Sequence, residues 1–289
     1  MPRRASLSSA QVKKLLRQSG LKAKKGLGQH FLIDEAALES IVSAAELSPE
    51  DVVIEVGPGL GILTIELARR AGKVIAVELD TKLASLLKRR LASLANVNVI
   101  NADILKVYPS QLLGGKSSYK AVANLPYYIT SPILHYFVEA LPKPSLMVVM
   151  VQKEVGEAIV ASPGEMSLLA ISLQFYSKPK IVCYVPAQSF YPQPKVDSAV
   201  VRFDLLPEPA IKVADVDSFF EVVRCGFSSP RKQLRNSLAH SLGIAPAEVA
   251  SLLTEVGIDP RRRAETLSLE EWGNLYEALA VFRKGKVLC

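Results

Sequence analysis

Cysteine and histidine are scarce in this 289-residue chain, which has three of each. The cysteines are odd in number and far apart, which argues against a disulfide framework and favours a reducing compartment. The histidines do not stand at the spacing of a metal site. These six residues are Cys183, Cys225, Cys289, His30, His135 and His240. The sequence therefore predicts a fold stabilised by its hydrophobic core and a chemistry that needs no metal.

Long apolar segments are also missing. No hydrophobic run reaches the roughly 20 residues of a transmembrane helix. The N-terminus has basic residues but lacks the apolar core of a signal peptide. We therefore expect a cytoplasmic protein that makes no contact with a membrane.

Acidic residues are absent from residues 1–30, which hold eight lysines and arginines. The net charge of the whole chain is +7, so the rest of the chain is close to neutral. Further basic clusters stand at 231–235, 261–263 and 283–286. Positive charge concentrated in this way favours contact with a polyanion such as RNA. Each cluster taken alone is more often ordinary solvated surface.

Strands alternate with helices through the first half of the chain. The predicted strands are 51–56, 73–78, 97–100, 120–123 and 146–151, and the predicted helices between them are 34–46, 62–71, 81–94 and 131–140. This alternation is typical of a doubly wound parallel sheet. The fold class we predict is therefore α/β, with a Rossmann-like sheet.

The pattern changes after residue 165. A helix at 168–176 precedes two predicted strands, 181–186 and 196–203, which flank a proline-rich loop and indicate an antiparallel end to the sheet. A Pro-Glu-Pro linker follows, and then four or five helices without strand character fill 215–285. We therefore predict three parts, namely a flexible basic tail at 1–23, an α/β domain at 24–207 and a small all-helical, RNA-binding domain at 208–289.

A glycine turn follows the first strand of the alternating region. Its pattern, E-x-G-P-G-x-G from Glu55 to Gly61, lets the backbone approach a ligand closely, although the pattern alone is weak. Ile62 replaces the last glycine of the dinucleotide motif, and no phosphate-binding Lys-Ser/Thr loop is present.

Glu78 and Asp103 end the next two strands, where they could accept hydrogen bonds from a ribose and an adenine amino group, although either could simply be a helix cap or a surface acid. Together with the glycine turn they predict a site for an adenosine-containing ligand without phosphates, which we interpret as S-adenosylmethionine.

The tetrapeptide Asn124-Leu125-Pro126-Tyr127 follows the fourth of these strands. An amide oxygen and a backbone carbonyl could each accept an N–H of an exocyclic base amine, which turns the nitrogen lone pair towards a methyl donor. Tyr127 offers a ring on which a nucleic-acid base could stack. The plain alternative is an Asn-Leu-Pro turn after a strand.

Taken together, these motifs resemble those of the ribosomal RNA adenine dimethyltransferases of the KsgA type. The resemblance runs from about residue 24 to 271. The segments that carry it are GLGQHFLID (26–34), VIEVGPGLG (53–61), VIAVELD (74–80), NADIL (101–105), NLPYYIT (124–130), SFYPQPKVDSAVVRF (189–203) and GFSSPRKQLRNSL (226–238).

The resemblance implies dimethylation of N6 on two adjacent adenosines near the 3′ end of small-subunit rRNA, by a monomer acting on a pre-ribosomal subunit. It assigns the target base to Asn124, Leu125, Pro126, Tyr127 and Phe190. It assigns the donor to Gln29, His30, Leu32, Gly57, Gly59, Glu78, Leu79, Asp103, Ile104 and Asn124. The sequence departs from the usual motifs at His30, Tyr128 and Gln193.

Three other functions stay open on the sequence. Large-subunit rRNA adenine methyltransferases of the antibiotic-resistance type share the donor and NLPY-like motifs, but residues 226–238 and the long helical tail favour the small-subunit type. A non-catalytic RNA- or DNA-binding factor is opposed by intact Glu78 and Asp103. An NAD-dependent dehydrogenase is opposed by the glycine spacing.

Overall fold

The computed structural model describes residues 7–24, 26 and 28–287, and the side chains up to 283. Several features noted in the sequence lie outside this description. They are Arg3, Arg4, Lys25, Cys289 and the basic side chains within 284–286. Contacts divide the chain into two compact units, Met1–Glu157 with Lys178–Leu205, and Ala158–Ser177 with Leu206–Cys289.

The elements follow one another with short connections. The strands are β1 Phe31–Leu32, β2 Val52–Val56, β3 Lys73–Glu78, β4 Val97–Asn101, β5 Lys120–Asn124, β6 Leu146–Gln152, β7 Ser177–Val185, β8 Phe190–Tyr191 and β9 Ser198–Leu205. The first seven helices are α1 Ser9–Gln18, α2 Glu35–Ala44, α3 Ile62–Ala68, α4 Thr81–Arg90, α5 Pro109–Leu113, α6 Thr130–Glu139 and α7 Lys153–Ile159. The other five are α8 Leu168–Tyr176, α9 Val216–Phe227, α10 Leu234–Leu242, α11 Pro246–Glu255 and α12 Leu269–Val287.

The first unit is built on a seven-stranded sheet with the order β4-β3-β2-β5-β6-β9-β7. The strands from β4 to β6 are parallel, whereas β9 runs antiparallel to β6, with Val200 opposite Met150. Every residue of β2 is buried, as expected for a parallel strand covered on both faces. The Rossmann-like α/β prediction, including its antiparallel end, is confirmed.

The chain order places a functional crevice beside β2. From β2 the chain first adds β3 and β4 on one side and later adds β5 and β6 on the other. The loops that leave β2 and β5 therefore diverge to opposite faces, which opens a gap at the carboxyl ends of these two strands. Ligands of doubly wound sheets bind at such a switch point.

A flexible N-terminal tail was predicted at 1–23, and this prediction is wrong for residues 9–18, which form helix α1. Ser8 caps this helix by accepting from the Gln11 N–H, and Val12 and Leu16 are buried in the core of the first unit. The basic residues masked this amphipathic pattern, because Lys13 and Lys14 stand on the exposed face between the two apolar positions.

The second unit is helical and has its own aromatic core. Phe175 of α8 lies against Phe219 of α9, with ring centroids 5.2 Å apart, and Trp272 of α12 is fully buried. Helix α8 therefore packs with the C-terminal helices, although it precedes β7 in the chain. The boundary at 207/208 stays a prediction. Over the described residues, no helix combines the length and apolar character that crossing a membrane requires.

Candidate active site

The glycine turn after β2 forms the floor of a cavity at the switch point. Gly57 and Gly59 have φ of +66° and +56°, a region that residues with a Cβ seldom adopt. A Cβ on Gly59 would lie 3.0 Å from the Phe31 ring. The turn is also tied to β3, because the Gly57 N–H donates to the Val77 carbonyl at 3.0 Å. Glycine is therefore required both by the backbone conformation and by the closeness of Phe31.

Glu78 ends β3 with its carboxylate turned towards that turn. Its Oε2 accepts from the Gly59 N–H at 3.1 Å, and its Oε1 accepts from the Asp80 N–H at 2.8 Å. Burial raises the pKa of Glu78, and these two hydrogen bonds oppose that shift. Each carboxylate oxygen has a second lone pair, so the group is fixed by the backbone and still has capacity for a ligand hydroxyl.

Asp103 follows β4 and has two structural features at once. It lines the cavity, and its Oδ1 accepts from the Leu105 N–H at 3.1 Å, which caps the short 3-10 helix that begins at Ile104. The cap and the ligand contact considered from the sequence are thus compatible, because the cap uses one carboxylate oxygen.

The loop before β1 closes the cavity from the side. The Gln29 side-chain oxygen accepts from the Lys24 N–H at 2.8 Å. Both side chains also contact the Asp80 carboxylate: the Lys24 ammonium lies 2.7 Å from it, and the Gln29 amide donates to it at 3.4 Å. Leu32 pairs with Phe190 across the two-stranded β1–β8 ribbon. These contacts anchor the loop against the sheet edge.

Asn124 stands at the end of β5, facing that loop. Its Nδ2 donates to the His30 carbonyl at 3.1 Å, which leaves Oδ1 as the acceptor of the amide. Pro126, two residues later, has its carbonyl engaged by the Ile129 N–H at 3.2 Å and the Thr130 hydroxyl at 3.4 Å. The backbone acceptor predicted beside Pro126 is therefore best sought at the Leu125 carbonyl.

Tyr127 begins a 3-10 helix directly after this segment. Its hydroxyl shares a 2.7 Å hydrogen bond with Ser198 Oγ, and the His30 imidazole stacks on its ring. Burial raises the pKa of Tyr127, so the phenol is neutral at ordinary pH. Phe190, which the resemblance also assigns to the target base, is buried in the hydrophobic core of the unit.

All but one of the residues assigned from the sequence lie around this cavity. Those that line it are Gln29, His30, Leu32, Gly57, Gly59, Glu78, Leu79, Asp103, Ile104, Asn124, Leu125, Pro126 and Tyr127. Phe190 is the exception. Lysine and arginine are absent from the described lining residues, whereas the acidic Glu78 and Asp103 are among them. Such a wall favours a cationic ligand over a phosphorylated one.

Residues 20–281 match the family model described as ribosomal RNA adenine dimethylase. The chain belongs to the ribosomal RNA adenine dimethylase family. The resemblance inferred from the motifs is thereby confirmed.

Two curated relatives of this family member carry the name ribosomal RNA small subunit methyltransferase A. One, from a strain of Dehalococcoides mccartyi, is 53% identical and spans 92% of this chain and 91% of its own. The other, from Bacillus mycoides, is 45% identical over 94% and 96% of the two chains. Both alignments are nearly full length, so the match covers the helical part as well as the sheet.

Two crystal structures share the fold. The 23S rRNA methyltransferase ErmE is 30% identical, with a TM-score of 0.69 over 86% of this chain and 99% of its own. A dimethyladenosine transferase from Plasmodium falciparum is 26% identical, with a TM-score of 0.73 over 88% and 98%. The dimethylase family member therefore has the fold of these two solved enzymes.

Glu55 is the main residue of this dimethylase site to which the sequence analysis assigned no role. It is fully buried under the glycine turn, and its Oε2 has no hydrogen-bond partner among the described residues. Burial raises the pKa of Glu55 to about 8, with the charge of Glu78 adding to the shift. The sequence did contain a signal, because Glu55 opens the glycine pattern, but the burial of its side chain depends on tertiary packing.

Among the residues whose positions are described, histidine, cysteine and acidic side chains nowhere gather in a group of three or more that could hold an ion. The arrangement instead offers neutral oxygen acceptors, an aromatic ring and a carboxylate. Such groups can orient two reactants and stabilise partial charges on them. Methyl transfer to an amine depends mainly on this positioning.

Proposed function

We propose that this protein transfers methyl groups from S-adenosylmethionine to N6 of two adjacent adenosines near the 3′ end of small-subunit rRNA, within a pre-ribosomal particle. The observation that carries this proposal is the Asn124 amide, whose nitrogen donates to His30 and whose oxygen is thereby left to accept. An amide held in this way selects an N–H donor, such as the exocyclic amine of adenine.

The cavity suits the proposed donor. S-adenosylmethionine supplies an electrophilic methyl group on a positively charged sulfur and has no phosphates. The acidic wall without lysine or arginine matches that charge, and the glycine floor at Gly57 and Gly59 allows close approach. Glu78, with its spare lone pairs, would hold the ribose hydroxyls, and Asp103 would hold the adenine amino group.

The residues of the NLPY segment would bring the target nitrogen to that methyl group. Asn124 Oδ1 and the Leu125 carbonyl each accept one N–H of the adenine amine, which draws the nitrogen out of conjugation and directs its lone pair. Tyr127 supports the base, which leaves its stack in the RNA to enter the site. No strong base is needed first, because the nitrogen loses its proton after it has become cationic.

A large-subunit rRNA target is the alternative raised by the sequence. It is less well supported, because the small-subunit methyltransferase of D. mccartyi is 53% identical to this chain and ErmE is 30% identical. Residues 226–238, which favoured the small-subunit type, span the end of α9 and the start of α10.

The decisive experiment supplies labelled methyl donor with undermodified small subunits, and separately with large subunits, and maps the product by mass spectrometry. We expect two dimethylated adenosines near the 3′ end of the small-subunit RNA. Label in the large-subunit RNA alone, or in neither RNA, would contradict the proposal.

A further inference from the structure

The ring of Tyr127 is fixed at its hydroxyl and along one of its faces. The hydroxyl shares a hydrogen bond of 2.7 Å with Ser198, whose side chain is fully buried on β9. The imidazole of His30 stacks on the ring, with centroids 5.7 Å apart and planes 22° from parallel. A ring held at both places has lost most of its freedom to turn.

His30 is held as firmly as the ring that it covers. Its Nδ1 donates to the Pro192 carbonyl at 2.7 Å, in the proline-rich loop, and its own carbonyl accepts from Asn124. One residue of the N-terminal loop thus joins the ends of β5 and β8. The position of the imidazole is therefore set by two separate parts of the first unit. The imidazole in turn limits the orientation of the Tyr127 ring against which it lies.

We propose that His30 and Ser198 are positioning residues that pre-orient Tyr127 as the platform on which the target adenine stacks. This inference rests on the proposed function. The imidazole lies against one face of Tyr127 in an offset stack, with ring centroids 5.7 Å apart, so the opposite face is the one left for the adenine. His30 thereby determines on which side of the tyrosine the base enters, in addition to lining the donor cavity.

Pre-orientation has a kinetic signature that a merely structural role lacks. Under the proposed function the subunit binds through contacts spread over its RNA, so its KM should depend little on one aromatic ring. The fraction of docked complexes with a captured base depends on the platform, so its loss lowers kcat. Freeing the Tyr127 side chain should lower kcat by about threefold to tenfold. The dissociation constant of S-adenosylmethionine should stay unchanged when Ser198, which is not among the cavity-lining residues, is replaced.

The test compares His30→Asn, Ser198→Ala and Tyr127→Phe in the full-length protein. Asparagine keeps a donor for the Pro192 carbonyl but removes the stacking face, and phenylalanine keeps the ring but removes the partner of Ser198. Methylation of undermodified small subunits gives kcat and KM, and calorimetry gives the donor affinity. We expect His30→Asn and Ser198→Ala each to lower kcat about threefold to tenfold at unchanged KM.

A double-mutant comparison identifies the route of the effect. In the Tyr127→Phe background, Ser198→Ala should cost nothing further, because its partner hydroxyl is already gone. His30→Asn should still lower kcat there, because the ring face is still present. His135→Asn, on the half-exposed surface of α6, is the matched control and should match the wild type.

Two results would overturn the inference. One is an equal loss from Ser198→Ala in the wild-type and Tyr127→Phe backgrounds. The other is wild-type kcat in His30→Asn, or a loss there that is explained by weaker donor binding. Both results require that the wild-type protein methylates the subunit. A wild-type protein that methylates no adenosine would instead refute the proposed function.

Discussion

The side-chain Nδ2 of Asn124 lies 3.1 Å from the main-chain oxygen of His30, 94 residues earlier in the chain. This hydrogen bond fixes which end of the amide faces the cavity. The His30 carbonyl belongs to a loop that is anchored by the β1–β8 ribbon. A backbone group far away in the sequence therefore determines that Asn124 presents its oxygen, a hydrogen-bond acceptor, to the cavity.

Replacing Asn124 by alanine should separate donor binding from methyl transfer. The variant should bind S-adenosylmethionine nearly as well as the wild type, while kcat falls about 100-fold or more, because one acceptor for the target amine is lost. Calorimetry and a labelled-methyl assay measure the two quantities. Asn98→Ala, at an exposed position of β4, is the control, and turnover near the wild-type rate in Asn124→Ala would remove the assigned role.

Glu78→Gln should weaken donor binding. Glutamine has one oxygen where the carboxylate uses two, so either the Gly59 or the Asp80 N–H meets an NH₂ group instead of an acceptor. Hydrogen bonds to a charged group contribute roughly 1.5–3 kcal/mol, which predicts a dissociation constant about 10- to 100-fold higher. Calorimetry tests this, with Glu39→Gln on the exposed side of α2 as control. An unchanged constant would exclude the ribose contact.

Gly59→Ala should disturb the cavity floor, because its φ is +56° and the added Cβ would lie 3.0 Å from the Phe31 ring. Gly114→Ala is the matched control, since Gly114 has a φ of +59° and open space around it. Both variants should lose about 1 kcal/mol of stability from backbone strain. Donor affinity should fall in Gly59→Ala alone. An equal loss of affinity in both variants would contradict the assignment of the glycine turn as the floor of the donor cavity.

Glu55 should make the stability of the first unit depend on pH. Its pKa is raised from 4.5 to about 8 by burial, so between these values the folded state binds a proton that the unfolded state has released. The contribution of Glu55 to stability should therefore be greatest below pH 4.5 and fall as the pH rises towards 8, by at most about 1.4 kcal/mol per pH unit.

Denaturant titrations of Glu55→Gln test this effect, because the amide is neutral at every pH. The variant should lack this decrease in stability between pH 5 and about 8. Glu50→Gln, at an exposed position, should keep it. A slope that is identical in wild type and Glu55→Gln would show that Glu55 is ionised in the folded protein.

The charges of α1 should contribute to RNA affinity. Deleting residues 1–22 would also remove the buried Val12 and Leu16, so the sharper change is the triple variant Lys13→Gln, Lys14→Gln and Arg17→Gln on the exposed face. Its binding to the subunit should be weaker, with a salt dependence flatter by roughly 0.7–0.9 log units for each lost phosphate contact. An unaltered slope would mean that these cations are simply solvated.

Much of the fold followed from the sequence, because its periodicity is local. The strands β2 to β6 and the helices α3, α4 and α6 among them were predicted within a few residues, since β-branched runs, glycine turns and caps such as Asp80 act over single turns of chain. The short helix α5 was not predicted. Many of the cavity residues were also predicted, because the carboxyl ends of parallel strands meet at one edge of the sheet and because the motifs resemble those of a known family. Helix α1 was missed, because its charges outnumber its two buried apolar residues.

The sequence by itself determined the sheet, the glycine turn and the segments that meet at its edge. The tertiary structure alone decided that His30 lies against Tyr127, that Ser198 holds the phenol, that Phe190 is buried and that one Glu55 oxygen has no partner within the described part of the chain. The physical reason is distance along the chain. Those contacts join residues far apart in sequence, and no local propensity specifies how two loops pack once the sheet has brought them together.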